Sequence, residues 1–147
     1  MDYTKTFTVK STPKAVAKAI LEEADKWWTT SANKTEKVGD VLLTTFGKEE
    51  IFFMKMKAHK IVPNKSVHWI VLDDTIGVNG VIVKGEWVGT KIKWDFEKSG
   101  IGTIIKFEHK GLNKKLQCYD VCENGWNYYL YSFEQYLNTG VGNPAIN

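Results

Sequence analysis

The chain contains no arginine; all 20 of its basic residues are lysine. Arginine is the side chain that grips phosphate, carboxylate and guanine through two parallel hydrogen bonds. Without it no such clamp can be built, and the sequence points away from nucleic-acid binding and nucleotide chemistry. The net charge of +3 is mild. Only two cysteines occur, so no disulfide framework supports the fold. The apolar runs are a few residues long, far short of the roughly 20 that a membrane-spanning helix needs. The first nine residues alternate like a strand and lack the apolar centre of a secretory signal, so a cytoplasmic location is the expectation.

What remains is 147 residues, 43% hydrophobic and 25% charged, enough to bury a core as a single domain over 1–147. No internal repeat, low-complexity tract or linker interrupts it. Tyr3, Lys5, Phe7 and Val9 alternate with threonines, which predicts a strand. Ser11-Thr12-Pro13 opens a helix reaching about Ala24, with Val16, Ala19 and Ile20 at helical spacing. A short helix or turn follows at Asp25–Trp28, its paired tryptophans plugging one end of the core.

From Gly39 the pattern is strand after strand. Expected spans are Asp40–Phe46, Glu49–Val62, Ser66–Leu72, Thr90–Lys98 and Thr103–His109, with Asp73–Gly89 a glycine-rich loop holding an irregular strand or turn near Val81–Val83. Phe52, Met54, Met56 and Ala58 share one face of their strand; Val67, Trp69 and Val71 share another. Ile92, Trp94 and Phe96 form a third set, and Thr103, Ile105, Phe107 and His109 a fourth. Such alternation fits an antiparallel sheet with one wet face. Leu116–Asn138 reads as a helix about 34 Å long, with Tyr119, Cys122, Trp126, Tyr129 and Phe133 in a stripe. Gly125 lies mid-helix, where glycine costs about 1 kcal/mol relative to alanine; a kink or a close approach to the sheet would account for it. Gly140 is placed to cap the helix.

A helix this rich in tyrosine and tryptophan, following a run of strands, predicts a lid over a sheet and an apolar space between them. On the sheet side the candidate ligand-binding residues are Met54, Met56, Trp69, Trp94 and Phe107. On the helix they are Tyr119, Cys122, Trp126 and Tyr129. Methionine adapts to varied shapes, and aromatic rings bring apolar area with polar tips for orientation. The competing expectation is a solid core of rings with no space at all.

His109 is the polar candidate: either a hydrogen-bonding or acid/base group at the cavity mouth, or a ring that orders the turn at Gly111. His59 and His68 should face away, into solvent. Cys118 and Cys122, four apart on a helix, would hold their Cβ atoms about 5–6 Å apart, too far for a disulfide. Two thiols are too few for a metal site, so no metal and no cofactor is expected. Cys122 reads as a small buried residue. The acidic pairs Glu22-Glu23, Glu49-Glu50 and Asp73-Asp74 read as solvated charge, and no catalytic residue is assigned.

Four stretches, Trp87–Ile92, Gly102–Leu112, Gly125-Trp126 with Ser132–Leu137, and Thr139–Pro144, together resemble the START-like or SRPBCC superfamily. Within it they are similar to the bacterial branch grouped with activators of the heat-shock-protein-90 ATPase. The opening Phe7–Val9, Ser11–Pro13 and Val16 fit the same pattern. The resemblance implies a helix-grip fold, a curved antiparallel sheet wrapped around a long C-terminal helix with an internal cavity. It implies a small hydrophobic molecule as partner. One alternative is a cyclase- or dehydratase-type enzyme using His109 or a cavity tyrosine as acid/base. Another is association with the chaperone; the activators carry a further N-terminal domain for that contact, and 147 residues leave no room for one. Exposed residues of the 49–62 strand and Tyr128 and Tyr131 could form a homodimer contact.

Overall fold

A computed structural model describes residues 1–49 and 51–146. Glu50, and with it half of the Glu49-Glu50 pair and one position of the strand expected from Glu49, lies outside the described residues. The elements run β1 (Tyr3–Val9), α1 (Pro13–Glu22), α2 (Ala24–Trp27), β2 (Val41–Phe46), β3 (Phe52–Val62) and β4 (Ser66–Val78), then β5 (Val81–Lys84), β6 (Lys91–Ser99), β7 (Gly102–Lys110) and α3 (Tyr119–Thr139). All seven strands form one sheet in the order β1-β7-β6-β4-β3-β2, with β5 paired to β4. Every strand pair is antiparallel. The curved sheet and the C-terminal helix make a helix-grip fold.

Alternation sets the inner face. Val67, Trp69, Ile92, Trp94, Ile105 and Phe107 are buried, while Lys106, Glu97 and Lys98 are exposed. Thr12 caps α1, its hydroxyl accepting the Ala15 N–H at 3.2 Å, with Pro13 in the first turn where its missing N–H does no harm. The helix stops at Glu22, two residues before its expected end, and α2 carries on to place Trp27 and Trp28 in the core.

α3 begins three residues later than its periodicity predicted, because Leu116–Cys118 form a turn and Cys118 is the cap. Gly140 ends it in the left-handed conformation, φ 87°, and its N–H bonds the Tyr136 carbonyl at 2.8 Å. The helix is tied down along its length. Tyr3 Oη donates to Asn127 Oδ1 at 2.6 Å, and Ser11 Oγ donates to the Leu137 carbonyl at 2.7 Å. Ser132 Oγ donates to the Trp27 carbonyl at 2.7 Å. Leu130, absent from the predicted stripe, is also in the core.

The main departure from expectation is in 73–89. The strand expected to end at Leu72 runs to Val78 and turns back through Asn79-Gly80 into β5, a regular hairpin. The pairing explains why alternation hid this. Lys55 faces Asp73 but Met56 faces Val71, so Leu72 is an extra residue, a β-bulge. One inserted residue exchanges the two faces of everything beyond it. Before the bulge Val67, Trp69 and Val71 point inward; after it Asp74 and Ile76 do.

Candidate functional site

All six tryptophans pack into one connected cluster on the inner face. Trp28 stacks on Trp27 (5.4 Å between centroids) and on Trp69 (6.0 Å), and touches Trp126 (5.1 Å). Trp126 in turn stacks on Trp87 at 5.9 Å. Toward β6 and β7 the cluster is solid: Trp94 meets Phe107 and Phe133, each at a centroid distance of 4.8 Å, and all three are fully buried. Toward the β4–β5 hairpin it opens. There a pocket of about 230 Å³ lies between the sheet and α3. Its sheet wall is Phe46, Phe52, Met54, Thr75, Ile76 and Gly77. Its helix wall is Val121, Cys122, Gly125, Trp126 and Tyr129, with Trp28 and Trp87 closing the inner end.

Two glycines shape this space. A Cβ on Gly77 would meet the Phe52 ring at 3.0 Å, so its absence lets that ring lie across the strand. A Cβ on Gly125 would meet nothing within 4 Å. Gly125 therefore makes no close approach to the sheet, and α3 continues through it as α-helix. Its missing side chain leaves open space in the helix wall of the pocket.

Of the ten candidate binding residues, the structure brings Met54, Cys122, Trp126 and Tyr129 together around the pocket. Met56, Trp69, Trp94 and Phe107 lie in the solid core instead, each 0–1% exposed. Tyr119 borders a separate depression beside β1, with Tyr3, Glu123 and Asn127, and its hydroxyl donates to Glu123 Oε2 at 2.7 Å. Sequence reasoning missed Phe46, Phe52, Ile76 and Trp87 as pocket walls, and gave Trp28 only a plugging role. Phe52 already shared the inward face with Met54, which was the available signal; Ile76 was hidden by the bulge.

His109 is also outside the pocket wall, with 0% exposure. Its two nitrogens are both engaged. The Trp126 indole N–H can only donate, and it reaches His109 Nδ1 at 3.0 Å, so Nδ1 accepts. The ring proton is thereby fixed on Nε2, which donates to Thr90 Oγ1 at 2.8 Å; that hydroxyl donates onward to the Trp87 carbonyl at 2.6 Å. Burial pushes the imidazole pKa down to about 3. Thr90 reaches this position because Gly111 opposite has no Cβ, which would lie 2.7 Å from Thr90 Cγ2. The ring is a neutral strut between strand, loop and helix rather than an acid or base at a cavity mouth. His68 does face away from the core, yet it is not simply solvated: its Nε2 lies 2.9 Å from Asp95 Oδ1, which also accepts from Ser66 Oγ at 2.7 Å.

Asp74 departs furthest from expectation. Its place in an acidic pair predicts solvated charge, yet it is 0% exposed. Its Oδ1 accepts the Trp87 backbone N–H at 2.9 Å, which pins the turn between β5 and β6. Burial, only partly offset by that hydrogen bond, raises its pKa to about 6. Nearby, Glu86 accepts the N–H groups of Gln117 and Cys118 at 3.0 and 2.8 Å, capping the approach to α3. The Trp87 indole N–H donates to Cys122 Sγ at 3.2 Å. A hydrogen bond with Cys118 and then burial push the Cys122 pKa up, so it remains a thiol at neutral pH. Both cysteines are free and buried. Among the described residues no group of three or more His, Cys, Asp or Glu could hold a metal ion, and no helix is long and apolar enough to cross a membrane.

The family model for Activator of Hsp90 ATPase homolog 1-like protein matches residues 11–138. No curated protein matches the chain. Among solved structures, the Aha1 dimer from Colwellia psychrerythraea superimposes with a TM-score of 0.78 at 23% identity, over 97% of this chain and 99% of that one. Protein SSP2350 from Staphylococcus saprophyticus does so with a TM-score of 0.72 at 21% identity, over 99% and 98%. DynU16, from the dynemicin biosynthetic locus, gives a TM-score of 0.66 at 15% identity over 95% of this chain and 48% of its own. These likenesses share the fold that the strands and α3 build here, and with the match over 11–138 they make the chain a member of the Activator of Hsp90 ATPase homolog 1-like family.

Proposed function

We propose that the protein binds a small apolar or aromatic molecule in the pocket between the β3–β4 end of the sheet and α3. The observation that carries this is the ring-lined space itself, with none of its walls charged and a glycine where the helix could have filled it. A dry apolar cavity of about 150 Å³ is enough to hold benzene, so about 230 Å³ suits one ring with a substituent or a small fused pair. His109, with both nitrogens engaged outside the walls, lends no support to acid/base catalysis; Tyr129 borders the pocket but has no base beside it among the lining residues.

Thermal denaturation with indole and with naphthalene tests the reading. A ligand at a hundredfold its Kd stabilises by about 2.7 kcal/mol, which moves the midpoint by several degrees in a protein of this size. Gly125→Leu, which places a side chain in the open space, should abolish the shift. If neither compound stabilises the wild type, the pocket is not a binding site. A second copy of the chain is the proposed macromolecular partner. Tyr128 and Tyr131 are 51% and 60% exposed on the outer side of α3, and the Colwellia relative is a dimer. Light scattering at micromolar concentration decides it; a monomer that Tyr131→Lys leaves unchanged removes the proposal.

A further inference from the structure

No side chain lining the pocket is charged, yet a charge sits behind its wall. Asp74 is 0% exposed, and while its Oδ1 holds the Trp87 N–H, its Oδ2 has no hydrogen-bond partner among the described residues. Its neighbours Thr75 and Ile76, its cross-strand partner Met54, and Trp87 all line the pocket. The titratable groups that act on it are of like sign or neutral: Asp73 on the same strand, Glu86 in the turn after β5, and the Cys122 thiol on α3. Buried carboxylates are ordinarily paired with a cation, because an unpaired one is expensive to desolvate. Pinning the Trp87 turn needs only an acceptor, which asparagine would supply without the charge.

We infer that the pocket selects organic cations, molecules with an apolar ring or short chain bearing a protonated amine, attracted by the Asp74 carboxylate through one layer of side chains and held against the rings of Trp28, Trp87 and Trp126. The inference rests on the pocket being a binding site. The wall between carboxylate and ligand is protein, not water, so the attraction is weakly screened. Aromatic faces add their own attraction for a cation, and a neutral molecule of the same shape gains neither. With its pKa raised to about 6, Asp74 is ionised at pH 7.5 and largely neutral at pH 5, which turns the charge into something an experiment can switch off.

Calorimetric titration with benzylamine, benzyl alcohol and toluene separates the possibilities. At pH 7.5 benzylamine should bind at least tenfold more tightly than either neutral analogue. At pH 5, where benzylamine is still protonated, that preference should shrink severalfold. In Asp74→Asn it should vanish, benzylamine falling to the level of benzyl alcohol. If toluene binds and benzylamine is no better, the cation preference is wrong and the pocket stands. If Asp74→Asn weakens all three equally, the carboxylate is only a pin for the turn and the inference falls. If none of the three binds the wild type, the pocket reading falls and takes this one with it. Should Asp74→Asn not fold, the pH comparison on the wild type still decides.

Discussion

Two ends of the same sheet–helix interface are built from the same kinds of ring and come out differently. Beneath β6 and β7, Trp94 meets Phe107 edge to face and Phe133 at a tilt, and His109 ties its indole and hydroxyl neighbours together with no group left in water. Beneath the β4–β5 hairpin, Phe46, Phe52, Trp126 and Tyr129 surround a space they do not fill. Aromatic content therefore does not decide whether rings make a core or a pocket. Gly125 in the helix and the Leu72 bulge in β4 do, one by leaving out a side chain and the other by exchanging the faces of Asp73–Val78.

Truncation should sharpen that contrast most. Trp94→Ala should cost about 3–5 kcal/mol, as fully buried large-to-small changes do, whereas Phe52→Ala at the half-buried pocket wall should cost about 1 kcal/mol or less. Denaturant unfolding measures both, and equal losses would mean the pocket end is as tightly packed as the core.

Acid is the next lever. The His109 pKa is held at about 3, below the ordinary 6.5, so between those values the unfolded chain takes up a proton that the folded one refuses. Stability should therefore fall as pH drops from 6.5 toward 3, by on the order of 4 kcal/mol in total from this group. Ring NMR should show a neutral imidazole with the proton on Nε2 down to about pH 4; a ring titrating near 6.5 would break the picture of a sealed core.

Asp74 works in the opposite sense at the pocket end. Its pKa is raised to about 6 from 3.8, so the folded chain holds the proton longer than the unfolded one. Stability is lost as pH rises from about 4 through 6. Asp74→Asn should recover up to about 3 kcal/mol at pH 7.5, the behaviour expected if Asp74 serves the proposed cation preference at the expense of stability. A variant less stable at pH 7.5 than the wild type would make Asp74 a structural residue like His109. The smallest effect belongs to Gly125→Ala. It should gain about 1 kcal/mol of helix stability while weakening ligand binding, and an unchanged affinity would move the ligand away from the helix wall.

The sequence shows why the core end was the easier to read. Strands β1, β6 and β7 alternate without interruption, so Ile92, Trp94, Ile105, Phe107 and His109 could be assigned to the inner face one by one. The same periodicity failed at the pocket end for a specific reason. An inserted residue leaves no mark in composition, and past Leu72 the rule that placed Trp69 correctly places Asp74 on the wrong face. Trp87 was beyond reach for a different reason, being set by its hydrogen bond to Asp74 and its stacking on Trp126 rather than by any local pattern. Burial of His109 followed from alternation, but the direction of its two hydrogen bonds depended on a helix donor 17 residues away.

The joining of all six indoles into one cluster, with neighbouring centroids no more than 6.2 Å apart, also has an optical consequence. Excitation absorbed by any of them can migrate to the others. Trp28, Trp87 and Trp126 border the pocket, so a guest that quenches one of these three drains emission from the buried remainder. Under the proposed binding reading, the cluster is a built-in fluorescent reporter of pocket occupancy, readable without a label.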